Sequence, residues 1–461
     1  MRRKEFLKTS SVLVAGSLVT PFTSCKPEQK QQMETTKDMV QEAVRTNWAG
    51  NYQYKAPNLH EPQTVEEVQA LVQQLEKQKA LGSCHCFNNI ADSPLNQIST
   101  KKLNKLVAID EDAQTVTVEA GMRYGEFAPQ LHEQGYAVHN LASLPHISVA
   151  GAIATATHGS GVNNGNLATP VRAIEFVDGS GSVVQLSRDQ NGETFNGAVV
   201  HLGGLGILTK VTLDIEPTFE VRQDLYQDLP LQSLTEHFDE IMSSGYSVSL
   251  FTDWQNQLIS QIWIKRRVDG DISDLGAEYF GATAATKNLH PITELSAEPC
   301  TEQMGVPGPW YERLPHFKMG FTPSSGEELQ SEYFVPKENA VEAYLALEKM
   351  KAEIFPHLFI SEIRTIAADD LWMSPCYQRD CVAFHFTWKP EWEAVSQLLP
   401  KIESELSPFD VRPHWGKLFT IAPSTLASRY ERLPDFLALL KKYDPQGKFR
   451  NAYLDEHIYQ G

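Results

Sequence analysis

Residues 142–161 read ASLPHISVAGAIATATHGSG, a run dominated by glycine and other small residues. Backbone N–H groups in such a run can approach a diphosphate closely, because oriented amides in turns bind anions. The spacing matches neither G-x-G-x-x-G nor G-x-x-x-x-G-K-[ST], since Asn164 stands where a third glycine should follow Gly159 and Gly161. The run therefore predicts either a nucleotide site that is neither a Rossmann loop nor a Walker loop, or a tight packing segment between strands.

The sequence around this run alternates short helical and strand patterns. Thr64 and Glu67 form a capping box, which predicts an amphipathic helix that ends near Leu81 and Gly82. Other patterns predict a hairpin from residues 106–109 and 115–119, a helix over about 124–134, and a hairpin from residues 173–177 and 182–186. Helices and strands interleave without regular βαβ repetition, which favours an α+β fold over a doubly wound sheet.

The pattern changes beyond residue 217, where longer stretches alternate polar and apolar residues. Strands are predicted at 248–252, 261–265, 357–364 and 382–388, with a helix over 339–353. We therefore place a domain boundary near residue 218.

Length and charge limit the kinds of function. The chain has 461 residues, with 40 Lys and Arg against 58 Asp and Glu, a formal net charge of −18, and 41% hydrophobic residues. This composition excludes a disordered chain and disfavours a nucleic-acid binder, because phosphate binding needs clustered Lys and Arg. The length predicts two or three domains.

The first 25 residues have the pattern of an export signal. A basic head precedes an apolar run at 10–20 that is too short to span a bilayer. Residues 3–8, RKEFLK, resemble a twin-arginine signal, and Thr23-Ser24-Cys25 resembles a lipoprotein cleavage box, which implies lipid on Cys25. The alternative is a Sec signal or an uncleaved anchor. Residues 26–46 are predicted to be a polar tether, so we expect an exported bacterial protein, periplasmic or membrane-anchored.

Six cysteines stand at 25, 84, 86, 300, 376 and 381. Without Cys25 their number is odd, which argues against a full disulfide framework. No Cys or His cluster has metal-ligand spacing, so no metal site is predicted.

Three pairs of polar residues have the period-two spacing that places both members on one face of a strand. They are Gln330 and Glu332, Glu362 and Arg364, and His385 and Thr387, and His414 and Lys417 follow later in the chain. Such residues fit a site for a hydroxylated substrate. The alternative is a set of salt bridges on a solvated sheet face.

The glycine-rich run, together with GSCHCFN at 82–88 and LGGLGILT at 202–209, resembles the FAD-binding domain (PCMH-type) of the vanillyl-alcohol oxidase superfamily. The resemblance implies a diphosphate along Ser148 to Gly151 and a covalent bond from His85 to the flavin 8α-methyl group, although His85 could instead belong to a polar network. In an extended stretch Cys84 and Cys86 would point away from the side of His85. The implied cofactor-binding residues are Gly82, Ser83, Cys84, His85, Cys86, Ser143, Ser148, Gly151, Thr155, Thr157, His158, Gly206, Leu208 and His414.

Five further stretches, at 140–151, 246–254, 300–310, 362–365 and 412–417, resemble bacterial alditol oxidases and, more distantly, sugar-lactone oxidases. The resemblance implies an FAD-binding domain at 47–218, a substrate-binding cap domain at 219–440 with a mainly antiparallel sheet and flanking helices, and a return to the first domain at 441–461. The implied substrate-binding residues are Ser143, Gln330, Glu362, Arg364, Thr387 and Lys417, with His385 in the same pocket.

These residues suit the oxidation of an alcohol, which loses a proton from oxygen and a hydride from carbon. Arg364 and Lys417 would stabilise the incipient alkoxide, and His385 is the candidate base, with Glu362 orienting Arg364. We expect a monomer that oxidises the terminal hydroxyl of an alditol to the aldose, with electrons passing to oxygen and peroxide released. The alternatives are an aldonolactone oxidase, a dehydrogenase that uses a membrane electron acceptor, and a lipoprotein that binds sugars without redox chemistry.

Overall fold

The structure, a computed structural model, describes residues 44–270, 272–322 and 324–460. The predicted export signal, the lipid site at Cys25 and the tether up to residue 43 lie outside these residues. Arg45, within the predicted tether, already contacts the fold: its Nη1 donates to Oε1 of Gln97 at 2.5 Å. Among the described residues no helix is long and apolar enough to cross a membrane.

The elements up to residue 217 build three small sheets. In chain order they are β1 (Asn58–His60), α1 (Val65–Gln74), β2 (Gln78–Leu81), β3 (Asn96–Ser99), β4 (Leu106–Asp110), β5 (Thr115–Glu119), α2 (Tyr124–Glu133), β6 (Tyr136–Ala137), α3 (Val149–Ala154), β7 (Val171–Val177), β8 (Val183–Ser187), α4 (Arg188–Val199), β9 (Ile207–Asp214) and β10 (Glu216–Pro217). Strands β1, β3 and β2 pair in parallel, β6 pairs with β10, and the third sheet is antiparallel in the order β4-β5-β9-β7-β8. Both predicted hairpins and the helix that precedes Gly135 are confirmed.

The predicted extent of the first helix is wrong. Thr64 does cap it, because its Oγ1 accepts from the Glu67 N–H at 3.2 Å, but the helix ends at Gln74. Leu75 is extended, and residues 78–81 then form β2, which pairs with β3. At residues 78–81, strand pairing in the parallel sheet overrides the helical pattern of the sequence. This pairing buries the side chain of Lys79.

Beyond residue 217 the chain builds a ten-stranded antiparallel sheet. Its elements are β11 (Glu220–Pro230), α5 (Leu231–Met242), β12 (Ser247–Thr252), β13 (Leu258–Arg267), β14 (Glu278–Tyr279), β15 (Ala282–Ala284), β16 (Gly308–Pro309), β17 (Leu329–Pro336), α6 (Ala340–Glu348), α7 (Lys351–Ile354), β18 (Leu358–Ile366), β19 (Cys381–Trp388), α8 (Trp392–Leu406), β20 (Arg412–Pro413), α9 (Pro423–Arg429), α10 (Leu433–Tyr443) and α11 (Ala452–Leu454). The strand order is β14-β15-β11-β13-β12-β18-β19-β17-β20, and β16 pairs with β11. The helix predicted over 339–353 is divided into α6 and α7.

The predicted α+β class, with an antiparallel sheet and flanking helices, is confirmed. The chain enters the ten-stranded sheet at Glu220, two residues beyond the predicted boundary. From Val44 onward it forms one compact unit, so the domain limits at 47, 218 and 440 stay predictions.

The C-terminal segment packs against the first elements of this unit. The carbonyl of Lys448 accepts from the Gln78 N–H at 2.9 Å, and Nζ of Lys79 donates to the carbonyl of Phe449 at 3.2 Å. Farther along, Nδ2 of Asn451 donates to three carbonyls between residues 89 and 92. These bonds bring the end of the chain to one wall of the cleft that holds the site.

Candidate active site

One cleft contains nearly all the predicted site residues. Of the predicted cofactor-binding residues, it is lined by Gly82, Ser83, Cys84, His85, Cys86, Ser143, Gly151, Thr155, Thr157, His158, Leu208 and His414. Of the predicted substrate-binding and catalytic residues, it is lined by Ser143, Gln330, Glu362, Arg364, His385, Thr387 and Lys417. The fold therefore brings residues from both parts of the sequence to one cavity.

Ser148 and Gly206 do not line the cleft. Ser148 lies behind the wall, where its N–H donates to Oγ of Ser83 at 3.1 Å. A Cβ on Gly206 would meet the carbonyl oxygen of Val177 at 2.3 Å, and its φ is +159°. Gly206 thus allows close packing between β7 and β9, and its contact with the cofactor stays a prediction.

The turn at residues 83–86 forms part of an anion-binding cradle. Cys84 has a φ of +63°, and within the described part of the chain the N–H groups of residues 83–86 have no hydrogen-bond acceptor. Unpaired amides around a left-handed residue attract an anionic group. A Cβ on Gly82 or Gly151 would meet Oγ of Ser148 at 2.6 or 2.8 Å, so the two glycines leave room for this hydroxyl beside the turn. The residues present therefore fit the diphosphate of FAD.

His85 lies in the same turn with its ring 5.1 Å from the ring of Trp48. Burial is the main cause that lowers the pKa of His85 to about 3, and the positive charges of His146 and Arg123 lower it further. The imidazole is therefore neutral and keeps a lone pair, which a bond to a carbon atom requires. The extended stretch assumed for residues 84–86 is wrong, because Cys84 has a left-handed φ of +63°, and all three residues line the cleft.

Three adjacent strands carry the opposite wall. Glu332 on β17 pairs with His385 on β19, which pairs with Glu362 on β18. Since every second residue shares a face, Gln330, Thr387 and Arg364 join them. The predicted period-two faces are confirmed, although they point into a buried cavity and not to solvent.

Glu332 is the centre of the charged groups on this wall, although the resemblance did not include it among the implied substrate-binding or catalytic residues. Its Oε1 accepts from Nη2 of Arg364 at 2.7 Å, and its Oε2 accepts from Nζ of Lys417 at 2.7 Å. Nε2 of His158 lies 3.3 Å from Oε1. The spacing from Gln330 placed Glu332 on this face, but no feature of the sequence distinguished it from its neighbours.

The electrostatics keep Glu332 ionised. Burial acts to raise its pKa, but the charge of Lys417, with His158 and Arg364, outweighs burial and holds the pKa well below its usual range. Burial lowers the pKa of Lys417, while Glu332 opposes that shift. The predicted orientation of Arg364 by Glu362 is secondary, because Nε of Arg364 lies 3.6 Å from Glu362, farther than its contact with Glu332.

His385 is a poorer base than predicted. Nζ of Lys417 lies 2.8 Å from Nδ1 of His385, and an ammonium group can only donate, so Nδ1 accepts. The ring proton then sits on Nε2, 3.1 Å from Oγ1 of Thr387. Neither nitrogen can take another proton while Lys417 is charged, and burial with the Lys417 charge holds the pKa of His385 well below its usual range.

The remaining predicted residues complete the wall. Oγ of Ser143 accepts from Nη1 of Arg364 at 3.3 Å, and Nε2 of Gln330 donates to Glu328 at 2.5 Å. His414 has Nδ1 bonded to the N–H of Gly416 at 3.0 Å and lies beside His158, with ring centres 6.1 Å apart. Among the described residues no cluster of His, Cys, Asp and Glu could hold a metal ion.

Two family models match the chain. An "FAD binding domain" model covers residues 57–187, and a "D-arabinono-1,4-lactone oxidase" model covers residues 325–457. The two ranges include the anion cradle and most of the charged wall, respectively.

Individual proteins match over nearly the whole length. An alditol oxidase from a Streptomyces sp. is 48% identical over 417 residues, covering 89% of this chain and 97% of the relative. L-gulonolactone oxidase from Bos taurus is 27% identical, covering 90% of this chain and 98% of the relative. Among solved structures, cholesterol oxidase from B. sterolicum has the same fold, with a TM-score of 0.73 at 15% identity over 90% of this chain and 96% of that one.

Proposed function

Since the chain belongs to the alditol and sugar-lactone oxidases, FAD-dependent oxidoreductases of the vanillyl-alcohol oxidase superfamily, we propose that it oxidises the terminal hydroxyl of an alditol such as xylitol or sorbitol. The product is the aldose. The chemistry that bound FAD supplies is hydride acceptance followed by electron transfer to molecular oxygen, which yields hydrogen peroxide.

The observation that carries this proposal is the charge balance of the buried wall. Arg364 and Lys417 face Glu332 and Glu362, so two cations balance two carboxylates. Burial holds the pKa values of His158, His385 and His414 below the usual value, which leaves these histidines neutral. Such a wall offers many hydrogen-bond donors and acceptors but no net charge. It therefore suits a neutral, polyhydroxylated substrate better than a carboxylate or a phosphate ester.

Arg364 and Lys417 act on the reacting oxygen. Both are held by Glu332 at 2.7 Å, so they need no rearrangement when negative charge develops. The acceptor of the hydroxyl proton is the Lys417–His385 pair as one unit, because His385 alone has no free lone pair beside an ammonium group. Once the pair has lost a proton, Lys417 can take the proton of the hydroxyl group.

Selectivity follows from the same polar groups. A substrate that lacks a hydroxyl leaves a buried donor or acceptor unpaired. The kcat/KM for such a deoxy analogue can therefore be about 10⁴-fold lower than for the substrate with all its hydroxyls. Ser143, Glu362 and Thr387 are the groups proposed to contact the hydroxyls.

His85 is proposed to hold FAD covalently. Purified protein denatured in acid should retain flavin fluorescence on the polypeptide, and His85→Ala should release it. Covalent flavin in His85→Ala would exclude this histidine as the attachment site.

A sugar lactone is the second candidate substrate, favoured by the match of residues 325–457 to the arabinono-lactone oxidase model. Peroxide release measured with xylitol, sorbitol and galactono-lactone separates the two. The alditol proposal requires higher kcat/KM for an alditol, and a preference for the lactone would replace it.

Export is proposed from residues 1–25 alone. Cell fractionation of the full chain beside a Cys25→Ala variant tests both export and lipid attachment. A membrane-bound wild type and a soluble periplasmic variant are expected, and cytoplasmic enzyme in both would overturn the proposal.

A further inference from the structure

A row of buried groups continues from the cleft wall into the interior behind Glu362. Nε2 of His316 lies 2.8 Å from Oε1 of Glu362, and Nζ of Lys265 lies 3.0 Å from Nδ1 of His316. The relative exposures of Glu362, His316 and Lys265 are 5%, 4% and 1%. No sequence pattern singled out His316 or Lys265.

The contacts of Lys265 determine which ring nitrogen of His316 carries the proton. Nζ of Lys265 donates to the carbonyls of Leu314 and Pro315, the latter at 3.2 Å, and its third contact is Nδ1 of His316. Burial lowers the pKa of Lys265 to about 7 but that of His316 to about 4, so the proton between the two side chains stays on Lys265. The ammonium group has three donors and no acceptor, so Nδ1 must present its lone pair. The proton of the neutral ring is then on Nε2, from which it is donated to Glu362.

The surroundings keep this ring neutral. The rings of Trp263 and Phe251 pack against His316 with centres at 5.1 and 5.6 Å and separate it from water. Burial and the neighbouring Lys265 charge lower the pKa of His316 to about 4.

His316 also holds a residue on the other side of the cleft. Its N–H donates to the carbonyl of Ser143 at 3.0 Å, and the N–H of Phe317 reaches the same oxygen at 3.3 Å. The carbonyl of His316 accepts from the N–H of Thr301 at 2.9 Å, which fixes the loop. One residue thus connects the backbone of Ser143 with the side chain of Glu362.

The two oxygens of Glu362 have different surroundings. Oε1 faces His316 and Nε of Arg364, whereas Oε2 has no hydrogen bond to any residue that the structure describes. Oε2 is therefore the oxygen left for a hydroxyl group in the cleft.

We propose that Lys265 and His316 are positioning residues: Lys265 fixes the neutral Nε2–H form of His316, and His316 holds Oε1 of Glu362 and the carbonyl of Ser143, so that Oε2 and the Ser143 hydroxyl meet adjacent hydroxyls of the substrate. The role in substrate binding rests on the proposed function. The protonation state of His316 is independent of the proposed function.

The protonation state is measured without turnover by ¹⁵N NMR of histidine-labelled holoenzyme at neutral pH. The resonances of His316 are assigned by their loss in His316→Gln. The expected pattern is a neutral ring with the proton on Nε2. Lys265→Met should give an imidazolium signal, because the carboxylate of Glu362 remains while the cation is gone. A wild-type ring protonated on Nδ1, or doubly protonated, would overturn the proposal even if the enzyme used another substrate.

Kinetics test the positioning role. The amide nitrogen of Gln can replace Nε2, so His316→Gln should keep most of the activity, whereas His316→Phe should raise KM for the alditol about tenfold or more, with a smaller change in kcat. His290→Phe is the matched control, because this buried histidine contacts Phe317 but not Glu362. Equal losses in His316→Gln and His316→Phe, or an unchanged KM in a folded His316→Phe, would contradict the proposal. If His316→Phe does not fold, His316→Leu, which also removes Nε2, takes its place in the KM comparison.

Discussion

Glu332 illustrates how one buried carboxylate organises a site. It binds Arg364 and Lys417 through different oxygens and is shielded from solvent. An uncompensated charge at this depth is strongly unfavourable, so each member of the cluster depends on the others. The arrangement is fixed before the substrate enters, which is what stabilisation of a developing alkoxide requires.

Glu332→Gln tests this dependence. The amide cannot accept from both cations with the strength of a carboxylate, so the free energy of unfolding should fall by about 3–5 kcal/mol. Chemical denaturation measures the change. Glu353→Gln removes an exposed carboxylate that pairs with Lys401 at 2.5 Å and should change the stability little. Equal effects of the two substitutions would show that the buried cluster is not cooperative.

Lys417 should control the pH dependence of the reaction. Burial, with the charge of Arg364, lowers its pKa from the usual 10.5, against the opposing charges of Glu332 and Glu362. The deprotonated Lys417–His385 pair accepts the proton of the substrate hydroxyl, so kcat/KM should rise with pH. The midpoint of this rising limb of the pH–rate profile should lie below the usual lysine pKa of 10.5. Lys417→Met should lack the limb and lose about 10²–10⁴-fold in kcat/KM. A pH–rate profile that falls as the pH rises, or an identical limb in the variant, would contradict this assignment.

At the level of elements, the sequence predicted which residues share one face of a strand better than it predicted which strands lie side by side. Period-two spacing correctly placed Glu362 with Arg364 and His385 with Thr387. It could not show that β18 and β19 lie between β12 and β17, because the strand order depends on contacts distant in sequence. Nor could it find His316, which stands in a loop without periodicity and acquires its role only through packing against β18.

Gly206 has a conformational requirement that is independent of its predicted contact with the cofactor. Gly206→Ala places a methyl group 2.3 Å from the carbonyl of Val177 at a backbone angle that disfavours other residues. It should lower the melting temperature clearly. Gly320→Ala, which has no neighbour within 4 Å, should not. A Gly206→Ala enzyme of normal stability that has lost FAD would contradict this packing role and support the predicted cofactor contact.

Across the whole molecule, the C-terminal segment and the first parallel sheet meet at Lys79. Its Nζ bonds to the carbonyls of Leu202 and Phe449, each at 3.2 Å, and two acceptors match the two N–H donors of a neutral amine. Burial lowers the pKa of Lys79 to about 7. The sequence indicated that residues 441–461 return to the first domain, but a lysine without solvent access has no sequence signal.

This lysine should make stability depend on pH. Between pH 7 and 10.5 the unfolded chain carries a proton on Lys79 that the folded chain lacks, so raising the pH through this window stabilises the folded state. The difference in free energy of unfolding between wild type and Lys79→Met should therefore shift in favour of the wild type as the pH rises from 7 to 10.5. Parallel stability curves for the two proteins would contradict a buried, neutral Lys79.

Alditol oxidation is tested by mixing the anaerobic holoenzyme with xylitol or sorbitol, and separately with galactono-lactone, while the absorbance of oxidised flavin is recorded. The alditols should bleach the flavin rapidly, and admission of air should restore the absorbance with stoichiometric release of peroxide. Arg364→Met should bind FAD but bleach far more slowly, because its side chain contacts both Glu332 and Ser143. A flavin that stays oxidised with every alditol and is reduced by the lactone would show that this site evolved for a different substrate.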